Sequence, residues 1–262
     1  MFYQENWFIS NMIQMILECN DIVMNIYNSD FIVEYKEDQS PLTMADQKCN
    51  EHILKYLDKT EIPVDYQIIS EETKNLEYLQ RKSAQWIFLI DPIDGTKEFV
   101  KKNGEFTINV GLCFNGVPVF GIVSIPVQQT IFYGMKGIGS FKLYKNSIQT
   151  LKIEQNKNLE KEGIRIVASK SHNNQETQDF ISQFKNPEIL STGSSIKLLM
   201  IAENKADIYP RLGLTSEWDT CAAHAIVKYA GGTVLQHING KTLNKEVEYN
   251  KKNLLNPYFI VY

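Results

Sequence analysis

The first sixty residues of the chain contain two stretches in which apolar side chains recur every three or four positions. The first series comprises Phe8, Met12, Met15, Cys19, Val23 and Ile26, and the second comprises Ala45, Cys49, Ile53 and Leu57. Residues at this spacing lie on one face of an α-helix, so each stretch can bury one face and leave the other in water. The pattern therefore predicts two amphipathic helices that pack against a core.

Short apolar runs separated by turn signals follow the second helix. Residues 66–70 (YQIIS) and 85–90 (QWIFLI) have the length and composition of buried strands, and residues 106–125 are rich in Val, Ile and Phe. The dipeptide Asn115-Gly116 interrupts the last region, and it favours the type I′ turn of a tight hairpin. We therefore predict a meandering antiparallel sheet.

The segment 154–163 (EQNKNLEKEG) is the least hydrophobic part of the chain. We place a lobe boundary there, with residues 1–160 in the first lobe and 161–262 in the second. The elements predicted beyond it are a strand at 164–169, a helix at 194–205, a strand at 206–212 and a helix from 218 that Gly231 and Gly232 close. Helices and strands mixed in this way indicate a layered α/β or α+β fold.

Composition restricts the partners and the compartment. The 262 residues are 43% hydrophobic, which is enough for a sizeable core, and the net charge of -4 comes from nearly balanced acids and bases. Without a basic surface we expect a small-molecule partner and no nucleic acid. Four scattered cysteines favour reduced thiols in the cytoplasm, and no signal peptide or membrane-spanning apolar segment is evident. These features do not specify an oligomeric state.

Acidic residues collect at the ends of the predicted elements. Glu71 and Glu72 follow one strand, Asp91 and Asp94 follow the next, and Asp219 stands near the start of the last helix. If the fold brings these carboxylates together, burial and mutual repulsion raise their pKa values and destabilise the protein unless a cation joins them. Carboxylates without histidine or thiolate neighbours suit Mg²⁺ or Mn²⁺. The sequence therefore predicts a divalent metal site.

The segment 91–96 (DPIDGT) carries more polar groups than a turn needs, since one aspartate and the glycine would suffice. An EF-hand loop places its acids at alternate positions, and phosphatases of the haloacid dehalogenase type carry D-x-D-x-T, so the spacing here fits neither. The amides of Gly95 and Thr96 can bind phosphate oxygens. We interpret the segment as a metal and phosphate site in a turn. Asp46, three residues after Thr43, has by itself the spacing of a helix capping box.

Three motifs occur in order: SEET at 70–73, DPIDGT at 91–96 and WDTCAA at 218–223. In this respect the chain resembles the lithium-sensitive, magnesium-dependent phosphatases related to inositol monophosphatase. The segments 97–109 (KEFVKKNGEFTIN) and 191–213 (STGSSIKLLMIAENKADIYPRLG) are similar to the 3′(2′),5′-bisphosphate nucleotidase branch. The resemblance implies a two-lobed, layered αβαβα sandwich that hydrolyses the 3′-phosphate of adenosine 3′,5′-bisphosphate to give AMP, with the sulfated nucleotide as a further candidate substrate.

Two other functions stay open at this point. An inositol monophosphate or fructose bisphosphate phosphatase would keep the metal site and change only the substrate contacts. A relative that binds metal without catalysis is the second alternative, and the presence of every motif acid argues against it.

The resemblance also implies a role for each motif residue. Glu71 and Asp91 would hold one Mg²⁺ ion, and Asp91 and Asp94 with the Ile93 carbonyl would hold a second. Asp219 would close the site from the other lobe, with two or three ions bound in total.

The same resemblance gives Asp46 a catalytic role in place of the capping one. Thr96, paired with Asp46, would orient and deprotonate the water that attacks phosphorus. Glu72 would support the site through water.

Substrate contacts are expected mainly from the second lobe. Residues 192–197 (TGSSIK) open a helix, where N–H groups, hydroxyls and a lysine can bind an anion. Arg211 offers a planar guanidinium that can stack on a base or bind a second phosphate group, and the resemblance adds His172. The expected set is Gly95, Thr96, His172, Gly193, Ser194, Ser195, Lys197, Arg211 and Asp219.

Overall fold

The computed structural model describes residues 1–35, 41–73, 76–154, 158–159, 161–169 and 174–262. The helices in these residues are α1 (Asn6–Tyr27), α2 (Met44–Lys59), α3 (Tyr78–Arg81), α4 (Thr96–Val100), α5 (Gln175–Ile181), α6 (Ile196–Ala202) and α7 (Cys221–Tyr229). The strands are β1 (Val33–Tyr35), β2 (Pro41–Thr43), β3 (Tyr66–Ser70), β4 (Trp86–Asp94), β5 (Thr107–Phe114), β6 (Val117–Ile125), β7 (Thr130–Met135), β8 (Gly139–Tyr144), β9 (Ser147–Leu151), β10 (Arg165–Ser169), β11 (Glu188–Thr192), β12 (Tyr209–Arg211), β13 (Val234–Ile238), β14 (Lys241–Glu246) and β15 (Tyr258–Val261).

The two amphipathic helices are confirmed as α1 and α2. The predicted apolar positions of both are buried except Ile26, which is half-buried because Tyr27 takes the last inward position of α1. Thr43 caps α2: its hydroxyl accepts the Ala45 N–H at 3.2 Å, and its own N–H donates to Asp46 Oδ2 at 2.8 Å. The capping box expected from the spacing of Thr43 and Asp46 is therefore present.

Strands β3 to β9 form a seven-stranded sheet in which neighbours along the chain are also neighbours in the sheet. β3 and β4 are parallel, and each later pair is antiparallel. The β5–β6 hairpin turns at Asn115 and Gly116, whose φ angles are 48° and 77°, and Phe114 pairs with Val117. The predicted meander and its two-residue turn are confirmed.

β4 extends farther than its apolar run predicts. Asp91 pairs with Asn109 and Asp94 pairs with Thr107, and the register shifts between these two pairs. One extra residue on β4 forms a bulge, which lets the strand continue across a proline. The prediction of a turn directly after Ile90 is therefore wrong: the chain turns at Gly95, with a φ of 92°, and α4 follows at once.

The elements of the second half are shorter than predicted. The helix expected at 194–205 is limited to α6, and the strand expected at 206–212 is limited to β12. The helix expected from 218 begins only at Cys221, because Thr220 has a non-helical φ of -123°. Gly231 follows α7 with a φ of 102°, as expected for a glycine that ends a helix. β10 and β11 form a parallel pair, and β12, β15, β13 and β14 form an antiparallel sheet in that order.

Three apolar clusters join these elements into layers. The first cluster packs α1 and α2 on one face of the seven-stranded sheet. The second fills the opposite face and joins it to α6, α7 and the inner face of the four-stranded sheet. The third packs α5 on the outer face of that smaller sheet. The order is helix, sheet, helix, sheet, helix, which confirms the layered αβαβα fold; the lobe boundary at residue 160 stays a prediction.

The thiols and the helices bear on two other expectations. Among the described residues no helix is both long enough and apolar enough to cross a membrane. Cys19, Cys49, Cys113 and Cys221 are buried free thiols, and the Sγ atoms of the last two lie 3.2 Å apart.

α7 lies directly on the seven-stranded sheet, and glycines make this approach possible. A Cβ atom at Gly121 would lie 2.1 Å from the carbonyl oxygen of Ala222, and one at Gly111 would lie 2.5 Å from Cys221 Sγ. Because a helix backbone occupies the space of these side chains, the position of α7 depends on both glycines.

Gly121→Ala should lower the free energy of unfolding by about 1–3 kcal/mol, the usual cost of overpacking, because the added methyl group must displace α7. Chemical denaturation measures this change. Gly213→Ala is the matched control, since its Cβ would lie 4.0 Å from Arg211 Cζ and its φ is outside the left-handed region; there we expect less than about 0.5 kcal/mol. Equal stability of Gly121→Ala and the wild type would contradict the close packing.

Candidate active site

A cavity of about 260 Å³ brings together residues from both halves of the chain. Its size suits a small molecule, and its lining mixes carboxylates with three cationic side chains, those of Lys97, Lys197 and Arg211. The lining residues are Pro41, Glu71, Asp91, Ile93, Asp94, Gly95, Thr96, Lys97, Glu98, Ser169, Gly193, Ser194, Ser195, Lys197, Leu198, Tyr209, Arg211, Thr215, Asp219, Thr220 and Phe259. Most of the residues predicted for the site are therefore brought to one place.

Three carboxylates form the centre of this lining. Glu71 follows β3, Asp91 lies within β4, and Asp219 precedes α7, yet one oxygen atom from each lies within 4.8 Å of the other two. Backbone amides orient two of these carboxylates: Ile93 N–H donates to Asp91 Oδ1 at 3.1 Å, and Ser216 N–H donates to Asp219 Oδ2 at 2.8 Å. The fold thus holds three acids in contact range.

Proximity and burial raise the pKa values of Asp91 and Asp219. Burial, then the charges of Glu71, Asp94 and Asp219, raise the pKa of Asp91 well above its usual range. Burial, then the charge of Asp94, raises the pKa of Asp219 to about 8. A divalent cation would remove this repulsion, and three oxygen donors without nitrogen or sulfur suit Mg²⁺. The residues present therefore fit the predicted metal.

Asp94 differs from the other acids because a cation lies close to it. Burial raises its pKa to about 6, while Lys197 and the Ser195 N–H that binds its carboxylate act in the opposite direction. Lys197 is only 6% exposed, and its Nζ donates to the Ser194 carbonyl at 2.6 Å. Burial lowers the pKa of Lys197 to about 8, and Asp94 opposes that shift. Lys197 is thus a buried cation of the cavity wall and not a solvated helix residue.

Two polar groups of the segment before α6, expected to bind an anion, form hydrogen bonds within the protein. Gly193 N–H donates to Glu105 Oε2 at 2.9 Å. The Ser195 hydroxyl donates to Asn109 Oδ1 at 2.8 Å and lies 2.8 Å from Thr107 Oγ1. The Gly193 N–H and the Ser195 hydroxyl therefore have partners within the protein, although both residues line the cavity, and their contact with substrate stays a prediction.

Asp46 and Thr96 meet behind the cavity wall. Thr96 Oγ1 lies 3.3 Å from Asp46 Oδ1 and 3.2 Å from the Ile93 carbonyl oxygen, so its hydroxyl can donate to either. The second oxygen of Asp46 accepts the Thr43 hydroxyl at 2.6 Å. Burial is the main cause that raises the pKa of Asp46, and the bonds from Thr43 oppose it. One carboxylate therefore serves as a helix cap and as a partner of Thr96.

Arg211 lies at the end of β12 and lines the cavity. Its Nη2 donates to the Leu214 carbonyl at 2.9 Å, while its buried Nε has no hydrogen-bond partner within the described part of the chain. Arg211 as a whole is half-buried, but a buried N–H donor such as its Nε is costly to leave without a partner unless a ligand satisfies it. Arg211 is therefore available to an anionic or polar ligand.

The remaining predicted residues have different positions. Glu72 is half-buried outside the lining, with its N–H 3.4 Å from Ser70 Oγ. His172 lies outside the described residues. The expected set of site residues does not include Glu98 and Thr220, which line the cavity. Glu98 lies two residues after Thr96, and Thr220 belongs to the motif at 218–223, so proximity to the motif acids was the available signal.

In metal-free protein the melting temperature should fall as the pH rises from about 5 to about 8. Asp219 keeps its proton up to about pH 8 in the folded protein but loses it near pH 4 when unfolded. An acid with a raised folded pKa stabilises the fold below its unfolded pKa, and this contribution is lost as the pH rises to its folded pKa. Differential scanning calorimetry with chelator present measures the melting temperature at each pH, and Asp219→Asn should reduce the slope of melting temperature against pH. Equal slopes for the two proteins would contradict the assignment.

Comparison with known proteins agrees with this geometry. A model of the Inositol monophosphatase family matches residues 8–258. The 3′(2′),5′-bisphosphate nucleotidase CysQ of Salmonella typhimurium is 37% identical over 250 residues, covering 95% of this chain and 96% of the relative. CysQ of Buchnera aphidicola is 38% identical over 238 residues, covering 88% and 84%. The crystal structure of CysQ from Bacteroides thetaiotaomicron matches 98% of each chain with a TM-score of 0.81 and 36% identity. With the motif acids gathered in one cavity and a match over nearly its whole length, the chain belongs to the inositol monophosphatase family.

Proposed function

We propose that the protein is a Mg²⁺-dependent nucleotidase that hydrolyses the 3′-phosphate of adenosine 3′,5′-bisphosphate to give AMP and phosphate. The observation that carries this proposal is one cavity that combines Glu71, Asp91 and Asp219 with the cations Lys197 and Arg211. A site of this kind can hold one phosphate group through metal ions and bind a second anionic group directly. Relatives named as 3′(2′),5′-bisphosphate nucleotidases support the choice of a nucleotide.

The acids of the cavity would hold the metal. Glu71 and Asp91 are the proposed ligands of one ion, and Asp91 with Asp94 and the Ile93 carbonyl are those of a second. Asp219 completes the site from the segment before α7. Bound divalent cations would stabilise the negative charge that develops on the phosphate oxygens during an in-line displacement.

Thr96 and Asp46 are the proposed groups that handle the proton of the attacking water. Thr96 reaches the cavity lining, while its hydroxyl can donate to Asp46 Oδ1. With that hydrogen committed to Asp46, a lone pair of Thr96 Oγ1 can accept a hydrogen bond from water and orient it. The two bonds from Thr43 keep Asp46 in the orientation that this pairing needs.

The nucleotide would be recognised by the second half of the chain. Arg211, with its unused Nε donor, suits the 5′-phosphate or the base, and the buried Lys197 adds positive charge close by. Ser194 also lines this part of the cavity. An inositol monophosphate would leave the Arg211 donor unused, which favours a substrate with a second anionic group.

A substrate panel tests the proposed reaction. Phosphate release should be fastest from adenosine 3′,5′-bisphosphate, slower from inositol 1-phosphate and fructose 1,6-bisphosphate, and negligible from AMP. Chelator should abolish it, and added Mg²⁺ should restore it. Preference for inositol 1-phosphate would overturn the nucleotide assignment, and full activity in chelator would overturn the metal assignment.

Arg211→Ala should raise the KM for adenosine 3′,5′-bisphosphate by about 10-fold or more, since a charge-assisted contact is lost. Mg²⁺ affinity should be unchanged, because Arg211 is not a proposed metal ligand. Adenosine 3′-phosphate is the control substrate, since it lacks the second phosphate group and should show a smaller change. An equal KM change for both substrates would exclude Arg211 as the 5′-phosphate contact.

Thr96→Ala should lower kcat by about 10²- to 10⁴-fold, as expected for loss of general-base assistance, while Mg²⁺ affinity remains. Asp46→Asn should have a similar effect, and the double variant should be little worse, because residues that act as one unit are non-additive. Thr96→Ser is the control and should recover most of the rate. Multiplicative losses in the double variant would show that the two residues act independently.

A further inference from the structure

A buried carboxylate outside the cavity lining belongs to the same turn as Asp219. Glu217 is 0% exposed and is two residues before Asp219. Its Oε1 accepts the Lys251 N–H at 2.9 Å and Lys251 Nζ at 2.6 Å, and its Oε2 accepts the Asn250 N–H at 2.6 Å. A buried carboxylate with three donors, one of them charged, is fully satisfied and fixed in one orientation.

The backbone around Glu217 is tied to the same C-terminal segment, residues 250–256. Glu217 N–H donates to the Leu254 carbonyl at 2.8 Å. The side chain of Asn256 donates to the Ser216 carbonyl at 2.7 Å, and its N–H donates to the Thr215 carbonyl at 2.7 Å. The turn at residues 215–220 is therefore held by the segment 250–256 through side chains and backbone together.

This turn determines where the Asp219 carboxylate points. Asp219 Oδ2 accepts the Ser216 N–H at 2.8 Å, and the Glu217 carbonyl accepts the N–H of Cys221, the first residue of α7, at 3.1 Å. Glu217 stands between these two contacts. A displacement of Glu217 would therefore move both the donor that orients Asp219 and the start of the helix that follows it.

Arg81 ties the same segment to the first half of the chain. Its guanidinium is buried, with Nη1 donating to Asn250 Oδ1 at 2.5 Å and Nη2 donating to the Lys251 carbonyl at 2.9 Å. Arg81 ends α3, which follows the segment that carries Glu71. The segment that holds Glu217 is thus anchored on the side of the molecule that supplies the other acids.

We propose that Glu217 is a positioning residue that holds Asp219 at the separation from Glu71 and Asp91 that a divalent cation requires. The inference rests on the proposed function in one respect, since it takes Asp219 as a metal ligand. Ionised together, as metal binding requires, Asp219, Glu71 and Asp91 repel one another, and the anchored turn opposes any displacement of Asp219 that would relieve this repulsion. Supporting groups of this kind commonly determine metal affinity because they spare the ligand a rearrangement on binding.

Glu217→Gln tests the role without changing a proposed ligand. The amide keeps the size of the side chain but places an NH₂ group against donors, so the anchoring contacts weaken. Isothermal titration calorimetry of the metal-free, full-length variant with Mg²⁺, in the absence of substrate, should give a Mg²⁺ affinity about 10- to 100-fold weaker than that of the wild type. Glu203→Gln is the matched control, because Glu203 pairs with Lys142 Nζ at the same 2.6 Å and does not line the cavity. It should leave Mg²⁺ affinity unchanged.

The outcomes separate this inference from the proposed function. Wild-type Mg²⁺ affinity in Glu217→Gln, even with a lower melting temperature, would show a purely structural residue and overturn the inference. If Glu217→Gln does not fold, Lys251→Met decides in its place: weaker Mg²⁺ binding supports the positioning role, and unchanged binding overturns it. Absence of Mg²⁺ binding to the wild-type protein would instead overturn the metal assignment on which both proposals depend.

Discussion

Repulsion among Glu71, Asp91 and Asp219 is the constraint on which the rest of the structure depends. Three acids from separate parts of the chain share a space of 4.8 Å, and burial adds to the cost of their charge. Strand pairing holds Asp91 within the large sheet, and the turn before α7 holds Asp219. The layered core offsets the cost of holding these acids together, since buried apolar area is the main stabilising contribution in a domain of this size.

The acids are not equivalent, and their differences have a chemical meaning. Burial raises the pKa of both Asp94 and Asp219, but Lys197 and the Ser195 amide limit the pKa of Asp94 to about 6, whereas that of Asp219 is about 8. Near neutral pH, metal-free protein therefore has Asp94 ionised and Asp219 largely protonated. Cation binding requires the ligands to be ionised, so a bound cation would release protons from Asp91 and Asp219, whose pKa values are raised. Lys197 thus favours an ionised Asp94 before any cation binds, whereas Asp91 and Asp219 would ionise only together with the binding of a cation.

Features with a local signal could be predicted from the sequence, and features made by distant partners could not. The three- and four-residue spacing of apolar side chains predicted α1 and α2, and short motifs predicted the acids of the cavity. The continuation of β4 across Pro92 escaped prediction, because pairing with β5 overrides the local turn preference. The bond from Gly193 to Glu105 joins residues 88 positions apart, and the partners of the Glu217 carboxylate lie more than 30 positions away. No spacing rule connects such pairs, since only the folded layers bring them together.

The order of elements along the chain has a consequence for synthesis. Strands β3 to β9 pair with their immediate neighbours, so the large sheet can form while the chain is still emerging from the ribosome. The sheet face that α7 covers stays open until about residue 230 has been made, and the contacts that fix Glu217 need residues 250–256. A nascent or C-terminally shortened chain therefore presents an apolar sheet face with an incomplete acid cluster beside it. Chaperones recognise exposed apolar surfaces of that kind, so quality control can act before residues 250–256 complete the site.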